Sequence, residues 1–380
     1  MPDEINLFTT ISRSHWYWGR KPIAGIMQNL SAIGVREGDL VVDPFCGGGT
    51  PAIAMLLHGA RVIAGDLNPM AVFLTKTIVR PLEISSLFSA FEQVRQNVAE
   101  TIENHYRTTC PLCLAVQPAS GFQWKGPLHH CKPVAVKLRC AACKKRSFTP
   151  LSPKEVDAQI RASRRRPAEW YPQRPIPATM STPVRYYHEL FTGRNLSALA
   201  RLYAAIQTVR PDSHRDALLY AFTALLYECS ATDVLKDQRT SPGSSAMGLN
   251  VPDVWMENNV WRAFRDRFNA FVQCKVLLNS RIPGVRIAGS IEEFASKRLD
   301  IFVCRADATA PPYAPGKEVK FVFLDPPRPS DIDYMGLSEL WGAWLSMPFD
   351  HRSAQLTSSQ RAADYYPSRL HGMLAFCKRD

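Results

Sequence analysis

A chain of 380 residues with 46% apolar and 21% charged side chains is long enough for one large domain or two, each with a core. No window approaches eighteen uncharged apolar residues, which excludes a membrane-spanning helix; the opening Met-Pro-Asp-Glu lacks a basic and then apolar leader, so a reducing cytoplasm is the expected compartment. The 46 Lys and Arg against 34 Asp and Glu give a net charge of +12, which points to a polyanionic partner such as nucleic acid.

The first predicted strand covers Asp39-Leu40-Val41-Val42. It runs into Asp43-Pro44-Phe45-Cys46-Gly47-Gly48-Gly49-Thr50 and then into a helical stretch from Pro51 to Leu57. A strand that ends in glycines and opens into a helix cradles nucleotides. Glycines let backbone N–H groups approach the ligand, and the helix N-terminus adds a positive dipole. About twenty residues on, Arg61-Val62-Ile63-Ala64-Gly65-Asp66 reads as a second strand ending in a carboxylate, where a doubly wound fold holds a ribose hydroxyl pair. Leu87, Phe91, Val94, Val98 and Ile102 then mark one face of an amphipathic helix from Ser86 to Glu103, with Ser85 or Ser86 as its cap.

Two C-x2-C knuckles follow, Cys110-Pro111-Leu112-Cys113 and Cys140-Ala141-Ala142-Cys143, with 26 residues between them. This spacing has zinc-ribbon form, four thiolates around one tetrahedral ion. His129, His130 and Cys131 lie between the knuckles as possible substitutes, Cys131 foremost. A site closed by four cysteines leaves no position for water, so its expected role is structural. Phe122, Trp124, Lys125, Lys132, Lys137 and Arg139 are interleaved nearby, a mix suited to nucleic-acid contact.

From Pro150 to about Pro177 the chain turns Pro- and Arg-rich, with Arg161, Arg164, Arg165 and Arg166 as a basic flank. Helices are predicted over Ser197–Thr208 and Arg215–Glu228, the second apolar on every side and therefore buried. The stretch from Lys236 to Asn250 reads as a loop near a site, and Trp261, Phe264, Phe268 and Phe271 form another helical face. Strand character returns at Val285–Ser290, at Asp300–Cys304 and at Phe321-Val322-Phe323-Leu324, which ends in Asp325-Pro326-Pro327. Helical patterns over Leu337–Leu345 and Ser358–Ala375 close the chain.

The turn at 43–50 resembles the D-P-F-x-G-x-G-T turn of amino-methyltransferases that use S-adenosylmethionine. Asp325-Pro326-Pro327 resembles the D-P-P-[YFW] motif of DNA methyltransferases acting on exocyclic amines. Trp16-Tyr17-Trp18-Gly19-Arg20-Lys21-Pro22 looks like the segment that leads into the cofactor site in one branch, the zinc-ribbon-bearing, adenine-specific-type DNA methylases. The resemblance implies a Rossmann-like class I methyltransferase sheet, with 1–106 and 281–380 as its two parts. Between them stand a zinc ribbon over 107–150 and a helical, basic insert over 151–280 as candidate target-recognition region. Val285–Ser290 would be the third strand of the sheet and Phe321–Leu324 the fourth. The resemblance further implies S-adenosylmethionine held by Lys21, Asp43, Phe45, Gly47, Gly49, Thr50, Asp66 and Asn68. Structural zinc would sit on Cys110, Cys113, Cys140 and Cys143, and catalysis would fall to Asp325, Pro326, Pro327 and Arg328. DNA is the implied partner, adenine N6 the implied acceptor, and restriction-modification or phage defence the implied setting.

Two departures from the family pattern bear on activity. The residue after Pro-Pro is normally aromatic and stacks on the flipped base. Here it is Arg328, whose guanidinium plane can also stack, and Tyr334 lies six residues on. Only 55 residues follow Asp325, with no convincing strands for the distal positions of the sheet. The expectation is a sheet completed by a partner polypeptide, with a self-contained short sheet as the alternative. A catalytically impaired DNA-binding subunit and an RNA methyltransferase are the competing functions.

Overall fold

The computed structural model describes residues 2–178, 180–236, 239–242, 248–309, 319–327, 332–349 and 371. Helices α1 (Pro2–Ser14) and α2 (Ile23–Ala32) precede β1 (Leu40–Asp43), α3 (Thr50–Leu57), β2 (Arg61–Asp66) and α4 (Pro69–Val79). Then come α5 (Ile84–Asn104), β3 (Arg107–Thr109), β4 (Val116–Pro118), β5 (Gly121–Lys125), β6 (Lys132–Arg139), β7 (Arg146–Pro150) and α6 (Pro153–Ser163). A 3-10 turn at Tyr187–Leu190 leads to α7 (Gly193–Gln207), α8 (Asp212–Leu225), β8 (Asp233–Lys236), β9 (Arg239–Pro242), β10 (Val254–Asn258) and α9 (Val260–Arg281). The last elements are β11 (Ile287–Ala288), α10 (Ile291–Lys297), β12 (Ile301–Arg305), β13 (Val319–Val322) and α11 (Tyr334–Trp344). The described residues gather into two compact units: one holds residues up to 84 with 270–342 and 347–349, the other 85–269 with 343–346.

The first unit is built on a five-stranded sheet in the order β11-β12-β2-β1-β13, with every pairing parallel. Val41, Val42, Val62, Ile63, Ala64, Ile301 and Val303 are buried, as a parallel sheet covered on both faces requires. Seven of the eight residues of α3, Thr50 to Leu56, and most of α4 are buried as well. The mixed α/β order and the parallel sheet are consistent with a Rossmann-like fold.

The neighbour of β2 is not the predicted strand over 285–290. That strand shrinks to the two residues of β11 at the sheet edge, and β12 takes the inner place, with Ile301 opposite Val62 and Arg305 opposite Asp66. The reason is burial: Ile301-Phe302-Val303 is a continuous apolar run. The earlier segment instead carries Arg286, which holds Asp300 at 2.9 Å in an exposed edge pair. A segment that enters its strand through an exposed cation suits an edge better than the middle of a parallel sheet. Along this same sheet β13 lies beside β1, with Leu40 opposite Val319 and Val42 opposite Val322.

The second unit holds a six-stranded antiparallel sheet in the order β7-β6-β5-β10-β8-β9, and the short hairpin β3-β4. Residues 151–280, expected as helical, thus also contribute three strands. Val254-Trp255-Met256 is β-branched and apolar enough to pair with β5, and Trp255 stacks on Trp124 with centroids 5.5 Å apart. One buried cation organises this sheet. Arg194 sits 4.4 Å above the Phe122 ring and pairs with the buried Glu257, which also accepts from Trp124 Nε1 at 2.8 Å. Phe91 of α5 stacks on Phe268 at 4.2 Å and on Phe264 at 5.7 Å, so that predicted aromatic face is core. Helix α5 begins at Ile84, placing Ser85 and Ser86 inside its first turn rather than at its cap. In 236–250, where a loop was expected, residues 239–242 form β9, and 237–238 and 243–247 lie outside the described residues.

Candidate active site and metal centre

The glycine turn stands between β1 and α3. Gly49 has φ of +86° at the N-cap of α3, and a Cβ there would meet the Thr75 backbone at 3.2 Å. Glycine is therefore required by both conformation and space. At Gly48 a Cβ would lie 2.7 Å from the Arg20 guanidinium, so a larger residue there would displace the end of that side chain. That guanidinium donates to Gly48 O at 2.7 Å and to Thr50 Oγ1 at 3.0 Å, tying the 15–21 segment to the turn. The segment is anchored from its other side as well: Trp18 stacks on Trp341 of α11 at 5.1 Å, and His15 meets the same ring edge-on at 4.8 Å.

Asp66, at the end of β2, accepts from Gly47 N at 2.9 Å through one oxygen and from Asn68 N at 2.9 Å through the other. Each oxygen keeps a lone pair for a ligand hydroxyl. Burial lifts its carboxyl from the ordinary value of 3.8 to about 6, against the backbone N–H groups that pull it down. Asn68 spends its side chain on structure: Oδ1 caps Met70 N at 3.0 Å, and Nδ2 donates to Ser338 Oγ at 2.8 Å.

These residues line a cavity of about 350 Å³, within the size range of small-molecule sites. Lys21, Phe45, Gly47, Thr50, Asp66 and Asn68 of the expected cofactor set face it, and so do Asp325, Pro326 and Pro327. The Lys21 ammonium lies 3.2 Å from the Asp325 carboxylate. Asp43 and Gly49 are not on the cavity wall. The Asp43 carboxyl turns back on Phe45 N at 3.0 Å, with its second oxygen buried and unpartnered. Burial pushes that carboxyl well above the ordinary range, and the neighbouring charges of Asp66 and Asp325 push the same way. Asp43 thus belongs to the interior of the turn. Arg328 lies outside the described residues.

Among the cavity residues that escaped the sequence reading are Tyr17, Arg20, Asp307 and Thr309. Tyr17 and Arg20 stand in the quoted 16–22 segment, which gave a signal for them. Asp307 and Thr309 follow β12, and their place beside Asp66 depends on β12 pairing with β2, which no local pattern announces. Asp307 accepts from Thr309 N at 2.9 Å, a tight turn at the cavity rim. Tyr334 also lines the cavity, its ring centroid 6.0 Å from that of Tyr17.

In the second unit, the sulfurs of Cys110, Cys113, Cys140 and Cys143 all lie within 4.8 Å of one another. Cys113 and Cys140 are 3.5 Å apart and Cys110 and Cys143 3.9 Å. Four thiolates about 2.3 Å from one tetrahedral zinc stand roughly 3.8 Å apart, so the cluster fits that ion. Leu114 and Lys144, each directly after a knuckle's second cysteine, have φ of 61° and 59°. This left-handed step turns the chain back beneath the sulfurs. The backbone N–H of Cys143 holds the Cys140 thiol down to about 6, helped by the Gln117 amide 2.8 Å away. Cys131, the expected intruder, is outside the cluster and donates to Leu128 O instead.

Residues 20–120 match the family model of UPF0020, an RMKL-like methyltransferase domain. The matched stretch contains the glycine turn, β2 and Asp66, so the chain carries a methyltransferase domain, and that domain implies use of S-adenosylmethionine. Comparison with curated proteins and with solved structures yields no match. Among the described residues no helix is long and apolar enough to cross a membrane.

Proposed function

We propose that this methyltransferase domain methylates an exocyclic amino group in DNA, adenine N6 before cytosine N4. The observation that carries the reading is the meeting of two distant motifs on one cavity: the glycine turn with Asp66, and Asp325-Pro326-Pro327. When bound, S-adenosylmethionine supplies a methyl group already activated on its sulfonium. The chain's own residues then have two tasks. Gly47 and the start of α3 receive the methionine end, and Asp66 accepts from the ribose hydroxyls. An exocyclic amine is a poor nucleophile because its lone pair is delocalised into the ring. Asp325 and the main-chain carbonyl of Pro326 accept its two N–H bonds and draw the nitrogen towards sp3 geometry. A duplex base reaches such a pocket only after flipping out of the stack. Tyr334 on the cavity wall offers that base an aromatic surface, the function the usual fourth motif residue serves.

Transfer of a radiolabelled methyl group from S-adenosylmethionine to duplex DNA, with RNA in parallel, tests the reading. Label on DNA supports it; label on RNA alone transfers the same chemistry to RNA; label on neither leaves a binding subunit. A setting in restriction-modification or phage defence belongs to the same proposal, as does a partner polypeptide that completes the sheet beyond β13. Among the described residues no strand pairs with the outer edge of β13. Light scattering tests this directly: a monomer that methylates DNA at a normal rate needs no partner.

Asp66→Ala should weaken S-adenosylmethionine binding by about 1–3 kcal/mol, the cost of a lost hydrogen-bond acceptor. Calorimetry showing unchanged affinity would remove Asp66 from the site. Affinity of the wild-type chain should also fall as pH drops through about 6, because the protonated carboxyl is a poorer acceptor. The folding linkage has the opposite sense. With the folded value raised above 3.8, the folded state holds the extra proton between about pH 4 and 6, and stability falls as pH rises through that window.

A further inference from the structure

The ribbon strands hold a surface that the methyltransferase chemistry does not use. Between Glu103 and Glu155 the sequence has no carboxylate, while eight Lys or Arg lie from 107 to 146. A stretch of that length with charges of one sign only is unlike the mixed surface of an ordinary soluble lobe. Strand pairing fixes where some of these charges go. In the β6–β7 ladder Lys137 is directly opposite Phe148, and Arg139 is directly opposite Arg146. Directly opposed residues, and residues two apart on one strand, share a sheet face. Lys137, Arg139, Arg146 and Phe148 therefore stand together. Phe148 is 38% exposed, Arg139 and Arg146 are exposed, and Lys137 is half-buried. Lys144 and Lys145, both exposed, lead into β7 from the second cysteine knuckle.

We infer that this face binds an unpaired strand of DNA. An exposed aromatic ring ringed by cations on a rigid sheet is a stacking platform, one base lying on the ring with phosphates on the flanking charges. A closed duplex presents phosphates but no base face to such a ring. The identity of the strand as DNA rests on the proposed methyltransferase reading; the grip itself rests on charge and register alone. The cysteine cluster fixes the turn before Arg146, so the platform is preorganised rather than formed on binding.

Fluorescence anisotropy with a labelled oligo-dT, a duplex of the same length and oligo-U tests it on the full chain. Oligo-dT should bind more tightly than the duplex. Phe148→Ala should weaken oligo-dT binding by roughly five- to a hundredfold, and Phe148→Trp should restore it. Arg146→Gln should lower the slope of log affinity against log salt by about one phosphate contact. Unchanged zinc content and circular dichroism in these variants separate lost contact from lost fold. Oligo-dT affinity untouched by Phe148→Ala, or a preference for duplex or for oligo-U, overturns the inference. Strand binding is read without methyl transfer, so inactive protein that still grips oligo-dT through Phe148 would sink the proposed function and leave this face standing.

Discussion

Asp325→Ala should lower the turnover number for methyl transfer by roughly 10²–10⁴, the range seen when a positioned acceptor or proton-handling group is removed. S-adenosylmethionine affinity should stay within about threefold of wild type, because the expected cofactor contacts are Gly47 and Asp66. The ion pair of Asp325 with Lys21 sharpens the expectation. Both partners are partly exposed, so breaking the pair costs little stability, and the freed ammonium remains at the cavity. Asp325→Asn keeps an acceptor oxygen but loses the charge, and should fall between the two. Single-turnover kinetics with calorimetric cofactor binding separates the effects. Full turnover in Asp325→Ala would move the catalytic assignment elsewhere in the cavity.

The second large effect concerns the cysteines. Elemental analysis should find one zinc per chain, and Cys140→Ser should lose it along with the ordered ribbon. Structural zinc contributes on the order of 10 kcal/mol to small domains of this kind, far more than the little core around Cys110, Leu138 and Cys140 can supply. Thermal unfolding of the mutant should therefore show an early transition absent from wild type. Cofactor affinity should remain near wild type, since the sheet motifs are separate in sequence. Protein purified without chelator that contains no zinc would end this idea.

What was legible in the sequence was local. The glycine turn and Asp66 are read within thirty residues, and each cysteine knuckle within four. Their chemistry depends on backbone shape that the same few residues impose. Pairing across long separations was less legible. Both Val285–Ser290 and Asp300–Cys304 have strand character, and only burial against Val62 and Ile63 decides which one joins β2. The same choice puts Asp307 and Thr309 on the cavity and hid them from a local reading. Asp43 shows the converse limit: its motif marked it as a ligand residue, while its hydrogen bond to Phe45 N turns it inward. Strand β10 was missed because its partner β5 stands more than a hundred residues earlier; β8 and β9 pair with each other locally and join that sheet through β10.

The pairing of β1 with β13 has a consequence in time. Leu40 and Val319 are neighbours in the sheet, yet 279 residues separate them along the chain. At about 5–20 residues per second, a growing polypeptide carries β1 for on the order of 15–55 s before its neighbour exists. During that interval one edge of an apolar strand is open to any other strand in reach. A ribosome halted between β2 and β13 should hold a nascent chain that recruits chaperones, and one halted well after residue 327 should not.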